Sequence, residues 1–127
     1  VGRENMMRAA NALKEFPNWT LIEGDIAEVS FDDVANEFDA IILDLPEPWP
    51  VISRLAKKIR YGGRIACYCP VSSQLEKAWE ACEEAGLKVD WAGEMMERVW
   101  TKASRGGVRP GNTPMGHTAF LLIAERT

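Results

Sequence analysis

Several shortages narrow what this chain can be before any motif is read. No apolar run approaches the roughly eighteen residues of a membrane span. The first residues carry no basic-then-apolar signal pattern. Three cysteines are an odd number that cannot form a disulfide framework, and Cys67, Cys69 and Cys82 lack the spacing of zinc ligands. The expectation is a reducing compartment, by default the cytoplasm, with neither a membrane nor a metal as partner. Positive charge is also in deficit: 15 basic residues face 19 acidic ones, a net charge of −4. Surface charge alone would therefore not hold a nucleic acid. Internal repeats and low-complexity tracts are absent. What remains, 127 residues that are 46% hydrophobic and 27% charged, excludes disorder and fits one compact domain.

Period and punctuation then give an alternating order of elements. Arg3 to Phe16 has helical spacing through Met6, Met7, Ala10 and Leu13, and Pro17-Asn18 ends it. The chain opens on Val1 in the middle of that pattern, and the expectation is a chain that has been cut, processed or only partly recorded. Trp19-Thr20-Leu21-Ile22 reads as a short buried strand ending at Gly24-Asp25, and Phe31 to Phe38 as a single helical turn or a loop. Ala40-Ile41-Ile42-Leu43 is a continuous apolar run, the pattern of a parallel strand covered on both faces. Asp44 ends it, and Pro46 and Pro48 forbid further strand pairing.

A helix is expected over Trp49 to Ile59, with Val51, Ile52, Leu55 and Ile59 on one face and Tyr61-Gly62-Gly63 as its stop. Arg64 to Cys69 is the next strand, closed by Pro70. Ser72 or Ser73 caps the following helix, with Glu76 at capping-box distance from Ser73 and Gly86 at its C-cap. Leu75, Ala78, Trp79, Cys82 and Ala85 form its apolar stripe. Two strands finish the chain, about Lys88 to Thr101 with an interruption at Gly93, and Thr118 to Ala124. Lys102 to Gly116 between them reads as a loop. The result is an α/β doubly wound sheet with an antiparallel hairpin at its C-terminal end. In such sheets ligands bind beyond the carboxyl ends of the strands, where Asp25, Asp44 and Pro70 fall.

Asp44-Leu45-Pro46-Glu47-Pro48-Trp49 is the most informative stretch. On residues alone two readings stand level. One is an acid delivered by a strand to the binding edge and held by a proline-stiffened backbone. The other is a helix N-cap followed by a rigid turn.

The stretch resembles the fourth motif of the tRNA (adenine-N1)-methyltransferases, which methylate a T-loop adenine in bacteria and archaea. Arg109-Pro110 followed by Met115-Gly116-His117-Thr118-Ala119-Phe120-Leu121 is similar to that family's closing strand. Tyr68-Cys69-Pro70 with Gln74 resembles its aromatic–x–Pro turn and glutamine. The resemblance runs from Asp25 through most of the chain. It implies a Rossmann-like class I methyltransferase sheet, S-adenosylmethionine as cofactor, tRNA as partner, and a homo-oligomer, commonly a tetramer in the family.

Residue by residue, the resemblance places Asp25 and Ile26 at the cofactor adenine, with Asp44 and Leu45 where cofactor and target base meet. Asp44 would accept from the adenine N6 amino group and offset the charge that develops as N1 takes the methyl group. Tyr68, Pro70 and Gln74 would line the target pocket beside Pro46 and Trp49. His117, the only histidine, has no proton to remove because adenine N1 carries a free lone pair, so a structural or base-positioning role is expected. Trp100 and Arg98 could stack on or steer the substrate, although packing is the first expectation for Trp100, as for Trp19, Trp79 and Trp91. Lys102, Arg105 and Arg109 form a cationic cluster that suits either phosphate contact or a solvated loop. The three cysteines are expected to be buried packing thiols.

The family's cofactor cradle, a glycine-rich turn after the first strand and an acid ending the second, has no counterpart here. Gly62-Gly63 and Gly106-Gly107 sit elsewhere. In the family's strand order, 3-2-1-4-5-7-6, the sheet thus lacks its first two strands, and the chain is a partial catalytic domain over 1–127. Two other readings remain: a non-catalytic subunit that only holds RNA, and a methyltransferase of the same fold with another substrate.

Overall fold

The computed structural model describes residues 2–13, 19–111 and 118–127. They fall into two compact units, Val1–Asn36 and Glu37–Thr127.

In the first unit, α1 spans Gly2–Leu13. The expected strand at Trp19 to Ile22 is absent: the segment has no ladder, and Leu21 and Ile22 are each 39% exposed. A strand exists only as one half of a hydrogen-bonded pair, and no described segment pairs with this one. Tight turns follow. The Asp25 carbonyl accepts from the amides of Glu28 and Val29, both at 2.9 Å, and the Phe31 carbonyl accepts from Val34 and Ala35.

The second unit runs β1 (Phe38–Leu43), α2 (Trp49–Ala56), β2 (Ile59–Cys69), α3 (Ser72–Glu84), β3 (Lys88–Gly93), β4 (Trp100–Lys102), β5 (Val108–Pro110) and β6 (Phe120–Glu125). Its main sheet has the order β1-β2-β6-β3, with β1 parallel to β2 and β6 antiparallel to both neighbours. That is the 4-5-7-6 portion of the order expected above. Helices α2 and α3 pack on one face of it and on each other. Strand periodicity sends Leu43, Ile65, Cys67, Cys69, Leu122 and Ala124 into this interface, where they meet Ile52, Leu55, Ala78 and Cys82. The cysteines are buried and unpaired. A hydrogen bond with Cys82, together with burial, pushes the Cys67 thiol well above its ordinary range, and burial raises Cys69.

Four expectations change. Helix α2 ends at Ala56, and Ile59 belongs to β2. Gly62 and Gly63 do not stop a helix but lie inside β2, at a bulge where the β1 pairing jumps from Ile59 to Arg64. Gly62 has φ +73°, and a Cβ on Gly63 would stand 2.9 Å from the carbonyl oxygens of both Arg60 and Asp39, so both positions require glycine. Strand β3 stops at Gly93, and Trp100, at the end of the expected strand, instead enters a separate two-stranded sheet in which β4 pairs with β5 from the expected loop. Its turn uses Gly106 and Gly107, at φ +90° and +83°.

The fourth change is at the start of α3. The N-cap is extended Val71 rather than a serine, and the Gln74 side chain, not Glu76, accepts from its amide at 3.1 Å. The C-terminus behaves as expected. The amides of Gly86 and Leu87 close on the carbonyls of Glu83 and Cys82, with Gly86 at φ +76°.

Candidate functional site

Strands β1 and β2 are parallel, so their carboxyl ends share one edge of the sheet. Leu43 pairs with Cys67, which sets Asp44 level with Tyr68. Asp44 is exposed and makes no hydrogen bond or ion pair with another described residue. It does not cap α2: the N-cap is Pro48, four residues further on, with no side-chain cap bond. Pro48 is fully buried and anchors the loop, whereas Pro46 and Glu47 are exposed. Of the two readings open from the residues, the geometry excludes the helix N-cap and leaves the acid exposed at the carboxyl end of β1.

Two side chains of α3 reach this loop. Gln74 Nε2 donates to the Pro46 carbonyl at 2.8 Å, while its Oε1 takes the Val71 amide. Lys77 Nζ lies 4.7 Å from the centroid of the Trp49 ring, a cation–π contact. Tyr68, 44% exposed, and Pro70 complete the edge. The edge therefore gathers Asp44, Leu45 and Pro46 from the loop after β1, Tyr68 and Pro70 from the end of β2 and its turn, and Trp49 and Gln74 from the first turns of α2 and α3.

Asp25 and Ile26 lie in the first unit. Asp25 is exposed, and its Oδ1 accepts from the Ala27 amide at 2.8 Å, which fixes the carboxylate on its turn and leaves Oδ2 for another donor. Trp100, Arg109 and the other cations of the cluster sit on or beside β4 and β5. Trp100 pairs with Pro110 and Thr101 with Arg109. Trp100 is 60% exposed, so it is not a core residue; Trp79 and Trp91 are also exposed on one side. A two-stranded ribbon has no second layer to bury a ring of that size. Trp79 instead donates from its indole to Glu83 along α3 and lines a shallow hollow of about 300 Å³ with Leu75 and Glu80. His117 lies outside the described residues; the neighbouring Thr118 hydroxyl donates to Glu94.

Within the second unit, the exposed Asp44 carboxylate suits part of a cationic, amine-bearing purine cofactor, either an exocyclic amino group or a sulfonium. Among the described residues there is no glycine-rich strand-to-helix turn to receive the amino-acid end of such a molecule.

Residues 5–106 match the family model described as the tRNA methyltransferase complex GCD14 subunit. The tRNA (adenine(57)-N(1)/adenine(58)-N(1))-methyltransferase of Methanocaldococcus jannaschii is 35% identical over 103 residues, covering 80% of this chain and 35% of that protein. The tRNA (adenine(58)-N(1))-methyltransferase of Thermus thermophilus is 27% identical over 103 residues, covering 81% of this chain and 39% of that protein. This chain thus spans little more than a third of these relatives. A solved structure of a putative methyltransferase from Thermoplasma acidophilum superposes with a TM-score of 0.72 at 27% identity, over 98% of this chain and 54% of that one. The sheet is that of class I methyltransferases. On the extent of the family match, the chain belongs to the family of the tRNA methyltransferase complex GCD14 subunit.

Proposed function

We propose that this chain forms the substrate-facing part of the catalytic domain of an S-adenosylmethionine-dependent tRNA (adenine-N1)-methyltransferase acting in the cytoplasm. The observation that carries the reading is Asp44: an exposed carboxylate at the carboxyl end of a parallel strand, level with Tyr68 and not used as a helix cap. The relatives' names and the sheet type support it.

Asp44 and Leu45 would contact the cofactor, which supplies an electrophilic methyl group on a sulfonium. Asp44 orients the target base by accepting from its N6 amino group, which aims the N1 lone pair at the methyl carbon. As N1 bonds to the methyl carbon the carbon–sulfur bond would break and a neutral thioether would leave, so the positive charge passes to the ring, where the fixed carboxylate stabilises it without any proton being removed first. Tyr68 and Pro70 offer a flat aromatic and apolar wall on which a purine can rest.

Incubating the intact protein with tRNA and S-adenosylmethionine, then analysing nucleosides by mass spectrometry, tests this directly; 1-methyladenosine is the expected product. Asp44→Ala should lower turnover by about a hundredfold or more, the scale of removing one electrostatic stabiliser. Its melting temperature should not change, because the side chain is exposed. Near-normal turnover would remove Asp44 from the mechanism. Trp100 and Val108, exposed on the same face of the β4–β5 ribbon, supply an apolar surface for the self-association we also propose.

A further inference from the structure

Gln74 joins both loops of the candidate edge. It stands in the first turn of α3, and its carboxamide is engaged at both ends. Nε2 donates to the carbonyl of Pro46, in the loop after β1. Oε1 accepts from the amide of Val71, in the turn after β2. The first loop carries Asp44 two residues earlier, and the second follows Tyr68 and Pro70 directly.

Both target groups need such a partner. Pro46 and Pro48 have no N–H to tie their loop to a neighbouring strand. Pro48 and Trp49 hold the far end of that loop, through burial and through the Lys77 contact, so the Pro46 carbonyl is its fixing point nearest Asp44. The Val71 amide is one of the donors left open at the start of a helix. A primary amide, with donor and acceptor on one carbon, is the side-chain group that satisfies a carbonyl and an amide together.

We infer that Gln74 is a positioning residue that sets the placement of Asp44 through the Pro46 carbonyl and does not itself contact the target base. The inference rests on the functional reading above and departs from the expectation that Gln74 lines the pocket as a contact residue. One carboxamide hydrogen and one lone pair of its oxygen are already committed within the chain, half of its hydrogen-bonding capacity, and both bonds hold the group against its own loops.

Gln74→Glu separates the two bonds. A carboxylate still accepts from Val71 and suits the first turn of a helix, but it presents an acceptor to the Pro46 carbonyl. Gln74→Met removes both bonds at similar length. In the intact protein, both variants should lower kcat by about ten- to a hundredfold, the scale of a misplaced catalytic group, with KM for tRNA within about twofold. Gln74→Glu should melt within about 4 °C of the unsubstituted protein. Three results would overturn the inference: unchanged kcat in Gln74→Glu, a raised KM for tRNA at unchanged kcat, or a loss of kcat that follows a larger fall in melting temperature. Amide NMR of Leu45, Glu47 and Trp49 keeps this test separate from the functional reading. Failure of the unsubstituted protein to methylate tRNA sinks that reading, yet shifted loop amides in Gln74→Glu still support the tether and unshifted ones still refute it.

Discussion

Ile42 and Ile65 stand on neighbouring strands of one sheet, each inside an apolar run, yet Ile42 is 79% exposed and Ile65 is completely buried. The difference is the face. Beyond the bulge, odd-numbered positions (41 and 43 of β1, 63 to 69 of β2) point at α2 and α3, and even-numbered ones point away, toward the side on which Ile42 and Tyr68 are exposed. Apolar runs of this kind suit strands covered on both faces, and here one face of the second unit is covered. The covered face carries the packing that holds this unit together. The other face ends, at its upper edge, in the exposed Asp44 and Tyr68. Stability and the candidate chemistry thus sit on opposite sides of the same strands.

That contrast can be tested by substitution. Ile65→Ala should cost about 2–5 kcal/mol, because a fully enclosed side chain leaves a cavity; chemical denaturation of the 127-residue chain measures it. Gly63→Ala, also on the covered side, should cost about 1–3 kcal/mol through overpacking against the carbonyl of Asp39 on β1. Its signature is faster amide exchange in β1 than in β3. Ile42→Ala should cost less than about 0.5 kcal/mol in the same chain. Repeating it in the intact protein sharpens the comparison. A cost of about 2 kcal/mol there would mean that this face is covered in the whole molecule, and an unchanged small cost would mean it stays open. Equal costs for Ile42→Ala and Ile65→Ala in the 127-residue chain would break the comparison itself.

The strands of the sheet were largely legible in the chain because their signals are local. Continuous apolar residues at 40–43, 65–69 and 119–124 have few other uses, and Gly86 marks the end of α3 in the way its φ demands. The misreadings have equally physical causes. Trp19 to Ile22 has strand composition, but strandness requires a partner, which composition does not supply. Gly62-Gly63 looks like a helix stop because glycine favours positive φ in caps and bulges alike; only the register with β1 distinguishes them. Val71 takes the cap position because Gln74 satisfies its amide from inside the helix, a bond no serine pattern announces.

For the site, the Asp-Leu-Pro-Glu-Pro-Trp stretch identified the acid, and periodicity put it at the carboxyl end of a strand. Its neighbours in space were another matter. Tyr68 lies 24 positions along the chain from Asp44, and the tether from Gln74 to Pro46 spans 28. Side-chain type and hydrophobic period are properties of short windows, so the chain alone determined which residues could form strands, helices and a presented carboxylate. Pairing, the choice of covered face and the meeting of two loops at one edge depend on contacts between distant windows, and these only the folded backbone decides.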